Sequence, residues 1–339
     1  MPGTPAPSSS AQPGRRRLPL VLGLLAALVG GAAGLLWLLS RQSQELVVAI
    51  TSWPGYEYFY LAEQEQLGRP FGLELKVQQY TSLEDQRQAF GRGDMPAIAT
   101  TVPEAIAICQ EVPARCPLLV LVLDESRGAD RIVARRELQE PAQLRGRRIG
   151  LERSVLGEFM LARSQGDRPT TFSQFELKYD GPTALVQGLQ RGDLDAIVSY
   201  APHDTPLLND PRFRVLFSSR AIPGEVVDVL AVDPAYAGRH PQQVKALVQT
   251  WWAARAFSRR RPEQAAATMA QRQQIPPAAF RLSERELNYP GPVDQPRLLA
   301  AAGPIASSLQ AMAALMQASG AIRAAAPLPR ISAAYLEAR

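Results

Sequence analysis

The 339-residue chain has an ordinary globular composition, with 46% hydrophobic residues, 20% charged residues and a formal net charge of +5. At this length the chain can bury a large core and form two structural units rather than one. Four arginines, Arg15, Arg16, Arg17 and Arg41, precede the first acidic residue, Glu45, so most of the positive excess belongs to the leader. Because no basic patch with interleaved aromatics, zinc pattern or helix-turn-helix pattern accompanies this charge, the sequence argues against nucleic-acid binding.

The N-terminal segment has the pattern of a tail followed by a membrane anchor. Residues 1–17 are rich in Pro, Ser, Gly and Ala and end in three arginines, which predicts a disordered basic tail on the cytoplasmic side. The uncharged run 18–39 has about the ~20 residues that span hydrocarbon as a helix, and Trp37 lies where an interfacial aromatic is expected. We therefore predict a single-pass signal anchor in the inner membrane, with everything after about Ser40 on the periplasmic side.

A cleaved signal peptide is the alternative interpretation of this run. Cleavage needs small residues directly after the apolar core, whereas Trp-Leu-Leu-Ser-Arg occupies residues 37–41. A lipoprotein needs a cysteine here, and the sequence has none in this segment. The uncleaved anchor is the favoured prediction.

The two cysteines, Cys109 and Cys116, are separated by a short segment that contains Pro113. In an oxidising compartment this spacing allows a disulfide that closes a small loop, worth about 2–3 kcal/mol. Two buried unpaired thiols are the alternative. A metal site is not expected, because the histidines, His203 and His240, lie far from both cysteines in the sequence.

From Glu45 onward, short apolar runs alternate with amphipathic stretches, which is typical of an α/β protein with largely parallel strands. The first series has predicted strands at 46–50, 73–79, 97–100 and 118–123, and helices at 56–66, 83–90 and 103–109. The second series has strands at 148–151, 175–179 and 196–199, and helices at 156–164 and 182–190. A strand at 226–232 follows, and the pattern from 241 to 319 is mainly helical.

The two series share a similar short segment, which indicates an internal repeat. Residues 92–98 and 191–197 both begin Arg-Gly-Asp and end Ala-Ile, at the junction of a predicted helix and a predicted strand. A glycine suits a helix C-terminus, where the left-handed conformation is favourable for it. Chance similarity between two such junctions is the alternative to a repeat. The repeat predicts a discontinuous first lobe, 40–124 with 220–320, a second lobe, 125–219, and a C-terminal tail, 321–339.

Four segments carry a resemblance to a known family. They are Ala-Ile-Thr-Ser-Trp-Pro-Gly-Tyr at 49–56, Leu-Asp-Glu-Ser-Arg-Gly-Ala-Asp at 123–130, Ser-Val-Leu-Gly at 154–157 and Ile-Pro-Gly-Glu-Val-Val-Asp at 222–228. In this order they resemble the substrate-binding proteins of ABC importers for nitrate, sulfonate and taurine. The resemblance spans most of residues 46–320.

The resemblance implies a type II periplasmic-binding-protein fold, with two α/β lobes joined by crossing segments and a ligand between them. We predict a monomer without a cofactor that works with an ABC permease and ATPase, or with a membrane sensor partner. Independently, ligands of open α/β sheets collect beyond the carboxyl ends of strands, where helix N-termini offer free N–H groups. The loops that begin at Trp53, Thr100, Ser154 and Tyr200 fit that description. The predicted ligand-binding residues are Trp53, Tyr56, Thr100, Thr101, Asp124, Ser126, Asp130, Ser154, Gly157, Tyr200 and Asp228.

Each group of candidates also has a structural interpretation. The aromatic rings of Trp53 and Tyr56 either contact a planar or cationic ligand or pack the first helix. The hydroxyls of Thr100, Thr101 and Ser154 either face the ligand or cap helices. The acids near the crossings either bind an amine or are solvated. The predicted ligand is a small anionic or zwitterionic molecule.

The sequence also bears on two other classes of function, enzymes and sensing modules. A hydrolase needs a Gly-flanked nucleophilic serine with a histidine, and neither Ser154 nor Ser199 has that pattern. The pyrimidine-precursor synthases that share the fold by resemblance need a cysteine-rich motif, which is absent from the sequence. A membrane-anchored sensing module, which signals to a partner instead of delivering a solute, remains open.

Overall fold

The structure is a computed structural model that describes residues 1, 3, 4, 44–166, 170–323 and 327–336. The predicted anchor at 18–39 and most of the preceding tail lie outside these residues. In the part of the chain that is described, no helix is both long enough and apolar enough to span a bilayer.

Twelve strands and twelve α-helices are found in the described residues. The strands are β1 Gln44–Ile50, β2 Leu73–Gln79, β3 Ala97–Thr101, β4 Leu118–Ser126, β5 Asp130–Arg135, β6 Arg148–Leu151, β7 Glu176–Tyr179, β8 Ala196–Tyr200, β9 Phe213–Ser218, β10 Val227–Val232, β11 Leu287–Asn288 and β12 Arg330–Ile331. The helices are α1 Glu57–Gln64, α2 Leu83–Arg92, α3 Val102–Glu111, α4 Val155–Ser164, α5 Pro182–Arg191, α6 Thr205–Leu208, α7 Pro234–Arg239, α8 Pro241–Arg260, α9 Pro262–Arg272, α10 Pro277–Glu284, α11 Gln295–Leu298 and α12 Pro304–Ser319.

The strands form two sheets. The first has the order β11-β4-β10-β3-β1-β2, with β12 beside β4, and the second has the order β7-β6-β8-β5-β9. In each sheet the early strands are parallel, and the strand that follows a crossing, β10 or β5, is antiparallel to its neighbours. Every residue of β3 and of β10 is buried, as expected of strands covered by helices on both faces.

The repeated Arg-Gly-Asp segments end equivalent helices. Helix α2 is followed by Gly93 with φ +86° and helix α5 by Gly192 with φ +85°, and both glycines adopt the left-handed conformation. Strands β3 and β8 begin a few residues later. The helix-to-strand junctions that the sequence predicts are therefore present at both places.

Four strands, β5, β9, β11 and β12, were not predicted from the sequence pattern. Strand β5 begins with the polar pair Asp130 and Arg131, and β11 and β12 are only two residues long. The predicted C-terminal tail is not loose throughout: Arg330 and Ile331 pair in parallel with Leu118 and Leu119 of β4.

Two crossing segments, 127–129 and 219–226, connect the sheets, and hydrogen bonds tie them together. The hydroxyls of Ser126 and Ser219 are 2.8 Å apart, and the backbone N–H of Gly128 donates to Ser219 Oγ at 2.7 Å. Helix α12 adds a further link, because it packs against both α3 and α4, which flank different sheets. Cys109 and Cys116 form a disulfide at the end of α3.

Candidate functional site

A small pocket lies between the two sheets at the ends of their strands. The first sheet contributes Thr51, Trp53 and Tyr56 after β1, Thr101 at the end of β3 and Asp228 at the start of β10. The second sheet contributes the start of β5 and the carboxyl ends of β6 and β8. Six of the predicted ligand-binding residues line this pocket: Trp53, Tyr56, Thr101, Asp130, Tyr200 and Asp228.

Aromatic rings from both sheets line the pocket. Trp53 meets Tyr200 edge to face, with the ring centroids 5.7 Å apart. Tyr56 is buried, and its hydroxyl donates a hydrogen bond to Asp228 Oδ1. Since Trp53 follows β1 and Tyr200 ends β8, this contact joins the two halves of the pocket.

Carboxyl side chains lie directly beside these rings. Asp228 and Asp124 are neighbours on the paired strands β10 and β4, and Trp53 Nε1 donates to Asp124 Oδ1 at 3.2 Å. Gly55 makes room for this arrangement, because a Cβ atom on it would lie 2.0 Å from Asp124 Oδ2. Asp124 therefore sits behind the pocket wall and holds the Trp53 ring in position.

These acids are poorly solvated, and their pKa values show it. Burial raises the pKa of Asp124, of Asp130 and of Glu152 to about 7. Burial, followed by the neighbouring charge of Asp124, raises the pKa of Asp228 well above its usual value. Near neutral pH Asp124, Asp130 and Glu152 are poised between the charged and neutral forms, so a charged ligand can change their protonation.

The nearest buried guanidinium is already paired. Arg131 lies 3.2 Å from Asp204 Oδ2 and also contacts Glu286, and its side chain is 5% exposed. Among the described residues that line the pocket there is neither a lysine nor an arginine. The pocket is therefore acidic and aromatic.

Five predicted residues do not line the pocket. Asp124 supports Trp53, Ser126 joins the crossing segments, and the Thr100 hydroxyl is buried without a hydrogen-bond partner among the described residues. Ser154 accepts from the N–H of Gly157 at 3.1 Å and caps α4, so the capping interpretation is the one the structure adopts for this pair.

The anion site predicted at the start of α4 is filled by the chain itself. Glu104 Oε1 accepts hydrogen bonds from the N–H groups of Val155 and Leu156, at 2.6 and 3.1 Å. Thr101 caps α3 by accepting from the backbone N–H of Glu104 at 3.3 Å.

The pocket also contains residues that the sequence did not single out: Thr51, Thr81, Ser82, Leu83, Glu152 and Leu156. The sequence could have indicated two of them as pocket residues. Glu152 follows β6 directly, at a carboxyl strand end, and Ser82 precedes an amphipathic helix and caps it. Leu156 reaches the pocket from within a helix, a position that no local pattern marks.

Two α/β sheets joined by two crossing segments, with a pocket between their strand ends, define a two-lobed fold like that of periplasmic binding proteins. The NMT1-like family matches residues 174–273 of the chain. The taurine-binding periplasmic protein of Escherichia coli (strain K12) is 28% identical over 151 residues, 44% of this chain and 46% of that protein. The chain thus spans about half the length of the curated relative it matches.

Solved structures share the fold across most of the chain. The alkanesulfonate-binding protein SsuA from Xanthomonas axonopodis pv. citri, bound to MOPS, aligns with a TM-score of 0.68 and 16% identity over 84% of this chain and 96% of that one. The desulfurization enzyme DSZB aligns with a TM-score of 0.56 and 14% identity over 84% and 95%. Together the matches confirm the resemblance to substrate-binding proteins of the nitrate, sulfonate and taurine group.

Proposed function

We propose that this protein is an extracytoplasmic solute-binding protein that captures a small molecule between its lobes for an ABC importer. The main support for the proposal is a pocket lined by residues of both sheets. These residues include Asp130 and Asp228, which lie close to the two crossing segments. The likeness to the taurine-binding and alkanesulfonate-binding proteins supports it. In this proposal the lobes follow the repeat, 40–124 with 220–320 and 125–219, except that the first sheet also includes the end of β4 and β12.

Binding works by closure in this proposal. Trp53 lies on one lobe and Tyr200 on the other, so a ligand that contacts both is bound best when the lobes are together. The difference in affinity between the closed and open states is the free energy that drives closure. Neither lobe alone provides the whole contact.

Solute binding without chemistry is favoured over catalysis by the geometry of the nearest nucleophile and base. Ser52 Oγ lies 3.5 Å from His203 Nε2, longer than the ~2.6–3.2 Å expected of an activated pair. Burial lowers the pKa of His203. In the described residues, no carboxylate hydrogen bond orients that imidazole.

The proposal is tested by screening the purified full chain against small solutes by thermal shift. A ligand present at a hundred times its Kd should stabilise the protein by about 2.7 kcal/mol, because it binds only the folded state. Small-angle scattering should then show a smaller radius of gyration with the ligand. Stabilisation without compaction would contradict closure, and a solute that is chemically converted would favour an enzyme.

We further propose that residues 18–39 remain attached and anchor the binding domain to the inner membrane, facing the periplasm. The length of the uncharged run and the arginines before it support this. Membrane fractions should retain the protein after a carbonate wash, and N-terminal sequencing should find no new terminus near Glu45. A mature protein that begins there would disprove the anchor but leave export intact. A membrane-anchored sensing module would show the same fractionation but would leave solute uptake unchanged when the gene is deleted.

A further inference from the structure

One carboxyl group that lines the pocket has an oxygen atom without a hydrogen-bond partner among the described residues. It is Oδ2 of Asp130, a residue that is only 3% exposed, whereas Asp228, which lines the pocket beside it, shares a hydrogen bond with Asp124. A buried polar atom without a partner is unfavourable, and more so when the group is charged. A ligand that offers a positive charge or N–H donors at this place removes that cost.

The aromatic rings beside these carboxyl groups favour the same chemistry. Trp53, Tyr56 and Tyr200 line the pocket together with Asp130 and Asp228. The face of an aromatic ring attracts a cation, and most strongly where water is excluded. Carboxylates and ring faces in one pocket therefore cooperate on a positively charged nitrogen.

The helix N-termini that an anionic ligand would use have carboxylates of the same chain close to them. Glu104 accepts from the first N–H groups of α4, as described above. At the start of α2, the hydroxyls of Thr81 and Ser82 both donate to Asp85 Oδ2, at 3.2 and 2.8 Å. A sulfonate or nitrate ion at the start of α4 would meet the Glu104 carboxylate rather than free donors, and one at the start of α2 would lie close to the Asp85 carboxylate.

We propose that the cleft selects ligands by a positively charged nitrogen, a primary or quaternary ammonium group held between the Trp53, Tyr56 and Tyr200 rings and the carboxyl groups of Asp130 and Asp228. This inference rests on the solute-binding function proposed above and specifies its ligand class. An anionic group elsewhere on the same ligand is compatible with it, but an anion without the nitrogen is not a ligand.

Two pairs of compounds test the inference by calorimetry on the full chain. Choline is compared with 3,3-dimethylbutan-1-ol, which has carbon in place of the charged nitrogen, and taurine with isethionate, which has a hydroxyl in place of the amine. We expect at least one nitrogen compound to bind, and to bind about tenfold or more tighter than its counterpart. Isethionate that binds as tightly as taurine, or nitrate that binds while choline and taurine do not, would overturn the inference and leave solute binding intact. Absence of binding by both pairs and by nitrate would overturn both proposals.

Two substitutions test whether the Asp130 carboxyl group belongs to the binding site. Asp130→Asn keeps the shape of the side chain and removes its charge, and should weaken binding of the nitrogen compound by about ten- to a hundredfold. Asp193→Asn, at an exposed carboxylate paired with Arg191 at the end of α5, is the matched control and should not change affinity. Equal affinities of the two variants, with both folded by circular dichroism, would contradict the assignment.

Discussion

At the scale of single residues, Trp53 illustrates how one side chain is fixed for binding. Its indole N–H donates to Asp124, its ring meets Tyr200, and the lack of a side chain on Gly55 lets Asp124 come close. The packing interpretation of Trp53 is confirmed by its 6% exposure within the core; the ring also lines the pocket, where its contact with a ligand stays a prediction. Replacing Trp53 by a much smaller residue would therefore change both the packing of the core and the binding of a ligand.

We expect Trp53→Phe to weaken ligand binding while the protein stays folded. Phenylalanine keeps an aromatic face but removes the N–H, so Asp124 Oδ1 loses its donor at a cost of about 1–3 kcal/mol. Calorimetry gives the affinity and a melting curve gives the stability. Trp252→Phe, on α8 and away from the pocket, is the control. If both variants bind as the wild type does, Trp53 is a packing residue only.

The pocket acids predict an unusual pH dependence for the ligand-free protein. Burial raises the pKa of Asp130 to about 7, whereas an unfolded chain has about 3.9. The folded state therefore holds its proton to higher pH, so this contribution to stability is complete below about pH 4 and is lost as the pH rises through about 7. We expect the melting temperature of the empty protein to fall from about pH 5 to pH 8 through this group.

Asp130→Asn should flatten that fall, because the amide cannot ionise, and Asp193→Asn should not. A bound ammonium compound favours the ionised carboxyl groups, so it should stabilise the protein more at about pH 8 than at pH 5. Identical pH profiles for the wild type and Asp130→Asn would show that the carboxyl group is not buried as the structure has it.

At the scale of elements, Glu104 joins helices that belong to different lobes. It lies in the first turn of α3, is fully buried, and accepts from the first N–H groups of α4 while it pairs with Arg87. A carboxylate is favourable at a helix N-terminus because it meets free N–H groups and the positive end of the helix dipole. This contact holds the two lobes in the arrangement that encloses the pocket.

We expect Glu104→Gln to weaken the closed state. The neutral amide oxygen is a poorer acceptor for two N–H groups and leaves Arg87 with less compensation, a loss of about 1–3 kcal/mol. Small-angle scattering with ligand should show a larger radius of gyration than for the wild type, and thermal melting should shift down. Glu111→Gln changes the other carboxylate partner of Arg87, which is half-exposed and does not touch α4, and serves as the control. Equal effects of the two substitutions would mean that the loss comes from the ion pair with Arg87 and not from the hydrogen bonds between Glu104 and α4.

At the scale of the whole molecule, the crossing segments and helix α12 decide how the lobes can move. Ser126 and Ser219 bond to each other where the chain passes between the sheets, and Gly128, with φ +124°, allows the backbone conformation needed there. Short, tied crossings restrict the lobes to a hinge motion. Ser126 therefore has a structural role in the crossing, and its predicted ligand contact stays a prediction.

The sequence by itself determined the types and order of most elements after Glu45. Apolar runs, amphipathic stretches and the repeated glycines at 93 and 192 act over a few residues, so their outcome depends little on distant parts of the chain. The same local logic placed Trp53 and Tyr200 at strand ends and therefore near a cleft. It did not detect β12, whose two residues become a strand only because β4 offers them an edge.

Only the tertiary structure decided which of these residues meet. Tyr56 bonds to Asp228, 172 positions along the chain, and Glu104 reaches α4 from 51 positions away. Whether Ser154 binds an anion or caps a helix depends on Glu104, which no pattern around Ser154 can reveal. Such pairings are set by the packing of sheets and helices against one another, because the free energy of burying an acid depends on every group that surrounds it.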